Sequence, residues 1–378
     1  MAPGILEYPA ADLLATQSVE SITKKSYFQK FDPVKHLAYV PPKKIHTLED
    51  LCLPPSPISP IASTDPFPLL SEEALLEHRR ELLSDEVLNN CMYSTREQSV
   101  QLRGMAPRYA PFIHQFWTSP EVLKIVSELA GVDLVPVMDF EICHTNVQLG
   151  PDGLSGVRNI PIIPPGAPEQ DTRSAVHAEP RESPVVTKKS IVPWHRDSYP
   201  FVCVVMLSDA RHMEGGETEI QRGDGRTIKV RSPQMGGAMV LQGRHVSHIA
   251  RPVDNMPERI TIVASFRPRY SVLLDDSSLM NVRNKSRLSE MYYQWTSYRL
   301  HLLAERFRLE AEKLDAAYRK AVEDTDQGRP GDCKVDVVDV ENLEKWMEKQ
   351  MRYMRRTMFE MRPVTEDDNI TKNEIEEV

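Results

Sequence analysis

The stretch Trp194-His195-Arg196-Asp197 sets an imidazole and a carboxylate two residues apart; after fifty intervening residues comes His248, and after ten more Arg259-Ile260-Thr261. Residues two apart at a strand end point to the same side, so His195 and Asp197 can share one ion. His248, from a distant strand, completes a facial set of two imidazoles and one carboxylate. Such a set suits iron(II) and leaves three positions open, two for a chelating 2-oxo acid and one for O2. Arg259, on the strand after His248, is placed to take the far carboxylate of 2-oxoglutarate through a bidentate contact. Thr261 lies two residues on, on the same face, with a hydroxyl to add. His245 competes with His248 as third ligand. An odd separation puts the two on opposite faces of a strand, and only His248 sets the ten-residue spacing to Arg259. His212 reads as solvated in a polar loop, and Arg251, Arg267 and Arg269 each break the spacing.

The elements that must position these residues are short strands. Segments Leu134–Leu149, Phe201–Leu207, Thr227–Val230, Ala238–Gln242 and Arg259–Phe266 are rich in Val and Ile and separated by Gly, Asp or Pro. This pattern predicts an antiparallel sandwich or barrel. Helices are expected before it, at Ser71–Ser84 and Thr118–Leu129, the second with Gly131 just past its end. After it, long helices are expected at Ser289–Val322 and Val340–Met361. Met347, Met351, Met354, Met358 and Met361 fall on one face of the last helix. They predict packing against the sheet or a second subunit, which would make a homodimer through the C-terminal helices, with ligand binding as the alternative. The chain thus divides into a proline-rich arm (1–70), a domain over 71–286, a helical region over 287–362 and an acidic tail (363–378). The arm holds eleven prolines in its first 68 residues. Within the domain, 150–190 is polar, proline-rich and without period, so it is either a lid over a site or a disordered loop.

H-x-D followed by H-x10-R-x-S/T resembles the iron(II)/2-oxoglutarate-dependent dioxygenase superfamily. Two flanking stretches strengthen the resemblance. Gly215-Gly216-Glu217-Thr218 is similar to the hairpin between the halves of the family's metal motif. Gly236-Gly237-Ala238-Met239-Val240-Leu241-Gln242-Gly243 is similar to the strand and turn that deliver the distal His. The resemblance spans about Leu134 to Arg269, with Thr261 where relatives commonly have Ser. It implies an α+β fold built on a double-stranded β-helix, or jelly roll, with helices on either side. It also implies His195, Asp197 and His248 as catalytic metal ligands, Fe(II) as metal, and 2-oxoglutarate and O2 as co-substrates yielding succinate and CO2. The long C-terminal helices look like those of a fungal branch linked to secondary metabolism, so the substrate would be a small molecule, an amino acid or a secondary metabolite. Hydroxylation, desaturation and oxidative cyclisation all stay open. Asp197 argues against halogenation, because chloride-binding members lack that carboxylate. The alternatives are a catalytically silent jelly-roll binding protein and an oxygenase acting on proteins.

Other side chains carry two readings each. Asn146 and Gln148 share a strand face that in this family often lines the co-substrate pocket, or else turns to solvent. Tyr199 and Phe201 line a substrate pocket or pack in the core, and Trp346 reaches the site mouth or packs. A net charge of −9 argues against nucleic acid or an anionic membrane as partner. No run of 18 apolar residues is present, and no secretory signal is visible at the N-terminus. The five cysteines are widely spaced with no C-x-x-C pair, which points to a reduced, cytoplasmic compartment.

Overall fold

The structure is a computed structural model that describes residues 29–96, 99–149, 156–164, 192–211, 213–230, 235–253, 256, 258–325, 331 and 333–362. The first part of the proline-rich arm, most of the 150–190 insertion with its lid reading, His212 and the acidic tail lie outside the described residues.

Among the described residues, the first part of the chain gives helix α1 (Pro33–His36), strands β1 (Ile45–Thr47), β2 (Ile61–Thr64) and β3 (Phe67–Pro68), and helices α2 (Glu72–Leu82) and α3 (Asp85–Asn90). Strands β4 (Met92–Arg96) and β5 (Ser99–Leu102) and helices α4 (Pro111–Thr118) and α5 (Pro120–Ala130) follow. Then come β6 (Leu134–Pro136), β7 (His144–Leu149), β8 (Val192–His195), β9 (Phe201–Met206), β10 (Thr218–Gln221) and β11 (Thr227–Val230). Strands β12 (Gly237–Leu241), β13 (His248–Ala250) and β14 (Glu258–Pro268) complete the sheets, and α6 (Leu288–Thr325) and α7 (Val340–Phe359) close the described chain.

Serines start the early helices. Ser71, Ser84 and Ser119 each accept the backbone N–H three residues on, at 3.1, 3.3 and 3.3 Å, which satisfies a donor with no partner inside the helix. Gly131 ends α5 at φ 67°, a left-handed cap that costs glycine little.

The strands form two antiparallel sheets. The larger runs β1-β2-β12-β9-β14-β7-β5-β4, with β3 paired to β12 and β6 to β14; the smaller runs β11-β10-β13-β8. One face of the large sheet packs under α2, α4 and α5, burying Val147, Val205, Ile260, Ile262 and Phe266 with Phe112, Phe116 and Trp117. Its other face meets the small sheet, where Val202 and Leu241 pack with Ile220 and Val246. Strand β14 is thus covered on both sides, which matches its nearly unbroken burial.

Two expectations are corrected. Leu134–Leu149 is not one segment. After β6 the chain makes a 3-10 turn at Asp139–Glu141, and Cys143 at φ 58° redirects it into β7. The turn sends Phe140 into a separate cluster with Tyr199, Met291 and Trp295, which no single strand could reach. Four of the five methionines, in turn, lie off the face by which α7 meets the body of the protein, and only Met361 packs there, against the Trp295 cluster. Met347, Met351, Met354 and Met358 are exposed, and the buried face carries Gln350, Thr357 and Glu360. Polar contacts hold this face. Arg299 Nε donates to Thr357 Oγ1 at 2.7 Å, and Glu360 accepts from Ser278 Oγ and the Leu279 N–H at 3.0 and 2.8 Å. No described helix is long and apolar enough to cross a membrane.

Candidate metal centre

Strand register brings the two histidines together. His195 ends β8 and is the direct partner of His248, which opens β13, so their rings lie side by side with centroids 4.4 Å apart. Asp197 lies two residues beyond the end of β8. What places it is a close approach to the turn after β12, rather than strand alternation. Its N–H donates to Gly243 O at 2.8 Å, and a Cβ on Gly243 would come within 2.7 Å of Asp197 Cβ and closer still to Oδ2. Only glycine fits there.

The ligand atoms of His195, Asp197 and His248 all lie within 4.8 Å of one another. Asp197 Oδ1 is 3.7 Å from His195 Nε2, and Oδ2 is 3.6 Å from His248 Nε2. Burial alone would raise the Asp197 carboxyl, but the two imidazoles outweigh it and hold the group below its ordinary range. The buried Oδ2 accepts no hydrogen bond. His248 Nδ1 lies 3.1 Å from Val246 O. A carbonyl only accepts, so Nδ1 carries the proton and the Nε2 lone pair is left facing Asp197. Two imidazole Nε2 atoms, that of His248 with its lone pair turned inward, and a carboxylate converging in a half-buried site are a divalent-metal donor set. It fits iron(II) with open positions.

His245 is excluded on different grounds from those of spacing. It sits in the turn after β12, not on a strand, and its Nε2 is 2.8 Å from Pro54 O.

Arg259 and Thr261 stand on β14 directly opposite Gln148 and Asn146 on β7, so the four share the face turned toward the small sheet. Arg259 is 7% exposed, and its only hydrogen bond among the described residues is a long one, Nη2 to Gly216 O at 3.3 Å. Its Nε is buried without a partner. Burial brings the guanidinium down to about 10, still charged at neutral pH, and no carboxylate of the described residues compensates it. Such a group calls for an external anion. Thr261 is buried beside it. Asn146 accepts from Gln101 Nε2 at 3.1 Å; Gln148 donates to Val253 O at 3.3 Å, and its Oε1 is buried and unpartnered. Both side chains turn inward rather than to solvent.

The alternative arginines are engaged elsewhere. Arg251 pairs with Glu219 at 2.6 Å, Arg269 with Asp133 at 3.0 Å, and Arg267 lies 4.9 Å over the Tyr298 ring. The aromatic candidates are packed. Phe201 is fully buried in the main core, Tyr199 belongs to the cluster with Trp295, and Trp346 meets Phe307 of α6 edge-on at 5.0 Å. Sequence reasoning missed Gly243 and Val246, which position Asp197 and His248 through backbone groups. The turn-forming Gln242-Gly243 after an apolar strand was the one available signal.

No model of a known protein family matches the chain, and no curated protein matches it. Several solved structures are similar over part of its length. An oxidoreductase of the 2OG-Fe(II) oxygenase family from Burkholderia pseudomallei is 15% identical at a TM-score of 0.28, covering 47% of this chain and 63% of that one. A Pseudomonas putida prolyl-4-hydroxylase is 16% identical at a TM-score of 0.31, covering 52% and 86%. AviO1 from Streptomyces viridochromogenes is 14% identical at 0.34, covering 59% and 94%. The first is matched over less than two thirds of its own length. Likeness at this level decides nothing about function, which has to come from the side chains.

Proposed function

We propose that the protein is an iron(II)- and 2-oxoglutarate-dependent dioxygenase on a double-stranded β-helix, oxidising a small organic substrate with release of succinate and CO2. One observation carries this reading: a two-histidine, one-aspartate donor set lies on the side of the large sheet that also carries a buried arginine with no acid partner among the described residues. The donor set alone would also take zinc. Arg259 supports a co-substrate that brings a free carboxylate, because a buried cation without a counter-charge calls for one from the ligand.

When bound, iron(II) with 2-oxoglutarate and O2 supplies an oxidant able to remove hydrogen from carbon. The chain's own residues set the conditions for this. His195, Asp197 and His248 hold the metal from one side. Arg259 and Thr261 take the distal carboxylate of the co-substrate, and Asn146 and Gln148 complete the polar wall beside it. Val246 O keeps the His248 proton on Nδ1. Substrate range follows the same resemblance that suggested the fungal branch, namely amino acids or secondary metabolites. The body over 71–286, with β1, β2 and β3 built into its large sheet, then serves as the catalytic unit and 287–362 as a helical appendage.

The test is release of succinate dependent on iron(II), 2-oxoglutarate and O2, measured across a metabolite panel. Succinate release from the wild type that disappears without 2-oxoglutarate supports the reading. Absence of both metal binding and 2-oxoglutarate binding contradicts it.

A further inference from the structure

Helices α6 and α7 lie antiparallel. Arg299 and Arg306 of α6 donate to Thr357 and Gln350 of α7, at 2.7 and 3.3 Å, so the contacts run in opposite directions along the two helices. One residue past each of these four stands an apolar one: Leu300, Phe307, Met358 and Met351. A step of one residue turns about 100° around a helix, and in an antiparallel pair the same turn carries both rows to one side. The body of the protein occupies the opposite side, where Tyr298 and Tyr353 both donate to Asp275 Oδ2, at 3.2 and 3.1 Å. The two helices thus form a layer with one face on the body and the other turned outward.

The outward face is apolar along its length. On α6, Tyr293, Leu300, Phe307 and Leu314 recur every seven residues and are all exposed, with the small Ser297, Ala304 and Ala311 between them. Large and small residues alternating in this way make a seam on which a second helix can lie close. On α7, Met347, Met351, Met354 and Met358 recur at four, three and four, also exposed. The 20 residues of α7 span about 30 Å. With α6 about 10 Å away, the face offers roughly 600 Å². Two such faces together bury roughly 1,200 Å², enough for a specific interface.

Two observations name the occupant. The α6 row is centred between Leu303 and Ala304, and the α7 row between Arg352 and Tyr353. Both centres fall between the same two cross-helix contacts, Arg299–Thr357 and Arg306–Gln350, so they stand at one level. A single two-fold axis at that level, in the plane of the face and across the helices, sets Leu300 opposite Phe307 of a second copy and Met351 opposite its Met354 at once. Charge agrees with this direction. The ion pairs on α7 among the described residues are Lys345–Glu341 and Arg356–Glu360, which leaves the exposed Glu344, Glu348, Arg352 and Arg355 unpaired along the methionine row. Acids come first and bases second, so a reversed copy sets acid beside base, where a parallel one would set like charges together. We propose that the outer face of α6 and α7 pairs with the same face of a second copy of this chain, helix on antiparallel helix, to form a four-helix dimer interface. The inference does not depend on the oxygenase reading.

Sedimentation equilibrium of the full-length protein at micromolar concentration tests this. The wild type should sediment as a dimer of the 43.1 kDa chain, and Met351→Glu should raise the dissociation constant about tenfold or more. Charge reversal guards against a variant that merely misfolds. Glu344→Arg with Glu348→Arg should weaken pairing, and so should Arg352→Glu with Arg355→Glu, while the two double variants mixed together should pair again. Orientation is read by cross-linking in a Cys52→Ser, Cys333→Ser background. Met347→Cys mixed with Met358→Cys should form an intermolecular disulfide under mild oxidation, and Met347→Cys alone should not. A monomeric wild type, a dimer that Met351→Glu leaves intact, mixed charge variants that stay apart, or a disulfide in Met347→Cys alone would each overturn the proposal.

Discussion

Gly243 and Asp197 approach so closely that the glycine has no room for a side chain: a Cβ at 243 would lie 2.7 Å from Asp197 Cβ, while the Gly243 carbonyl accepts the Asp197 N–H at 2.8 Å. The carboxylate of the donor set is therefore positioned by a turn from another strand. Gly243→Ala should push Asp197 away and weaken metal affinity by about 10–100-fold, the range seen when support around a ligand is lost. Isothermal titration with Mn(II) reads this directly. An affinity equal to wild type would show that Asp197 does not depend on the approach.

Arg259 leads to a second prediction. Truncating one side of a buried charged pair costs about 2–5 kcal/mol, so Arg259→Ala should weaken 2-oxoglutarate binding by that amount, and Thr261→Ala by less. Because burial brings the guanidinium down only to about 10, the wild-type affinity should be flat between pH 7 and 9 on this group's account. Binding measured on the Mn(II)-loaded protein would test both points. Unchanged affinity in Arg259→Ala would remove the carboxylate role.

Much of this was legible in the sequence because β-structure writes its faces into spacing. Arg259 and Thr261 lie two apart and meet Gln148 and Asn146, also two apart, across one ladder. What the sequence hides is contact made through backbone and turns. Asp197 is off the strand and held by the Gly243 carbonyl, and Val246 offers only a carbonyl to His248. The methionine stripe misled about packing on the sheet for a related reason. Periodicity finds an apolar face of a helix, but α7 docks by its polar residues, whose partners on α6 and the 275–283 segment cannot be read from spacing.

A buried ion pair gives a stability prediction. Arg79 pairs with Glu258 at 3.0 Å and also donates to the carbonyls of Leu207, Pro161 and Ile162, tying 161–162 to the core beside the start of β14. Arg79→Ala leaves Glu258 buried with only Ser208 as donor and should destabilise the fold by about 3–5 kcal/mol. Urea denaturation would check the figure; a loss below about 1 kcal/mol would place the pair among exposed ones.

Acid lability follows from His78. The ring is fully buried, with Nδ1 2.7 Å from Ala74 O and Nε2 accepting from Trp117 Nε1 at 3.2 Å. Burial lowers it from 6.5 to about 4. The unfolded chain therefore binds this proton first, so the stability it contributes is complete above pH 6.5 and is lost as pH falls toward 4, by about 3 kcal/mol at most. Glu81, raised to about 7 by burial, works in the opposite direction over part of that window, so the comparison must be with a variant. His78→Gln should lose less stability than wild type between pH 6.5 and 4 in parallel urea titrations. Equal slopes would contradict the assignment.

The most direct measurement of the metal centre is iron stoichiometry in a pair of single substitutions, His248→Ala and His245→Ala. His248 faces Asp197 across 3.6 Å, while His245 lies in a turn against Pro54. The full-length wild type and His245→Ala should each bind one equivalent of iron(II) anaerobically and release succinate from 2-oxoglutarate, whereas His248→Ala should lose both. Retention of iron and turnover in His248→Ala, with loss in His245→Ala, would contradict the account.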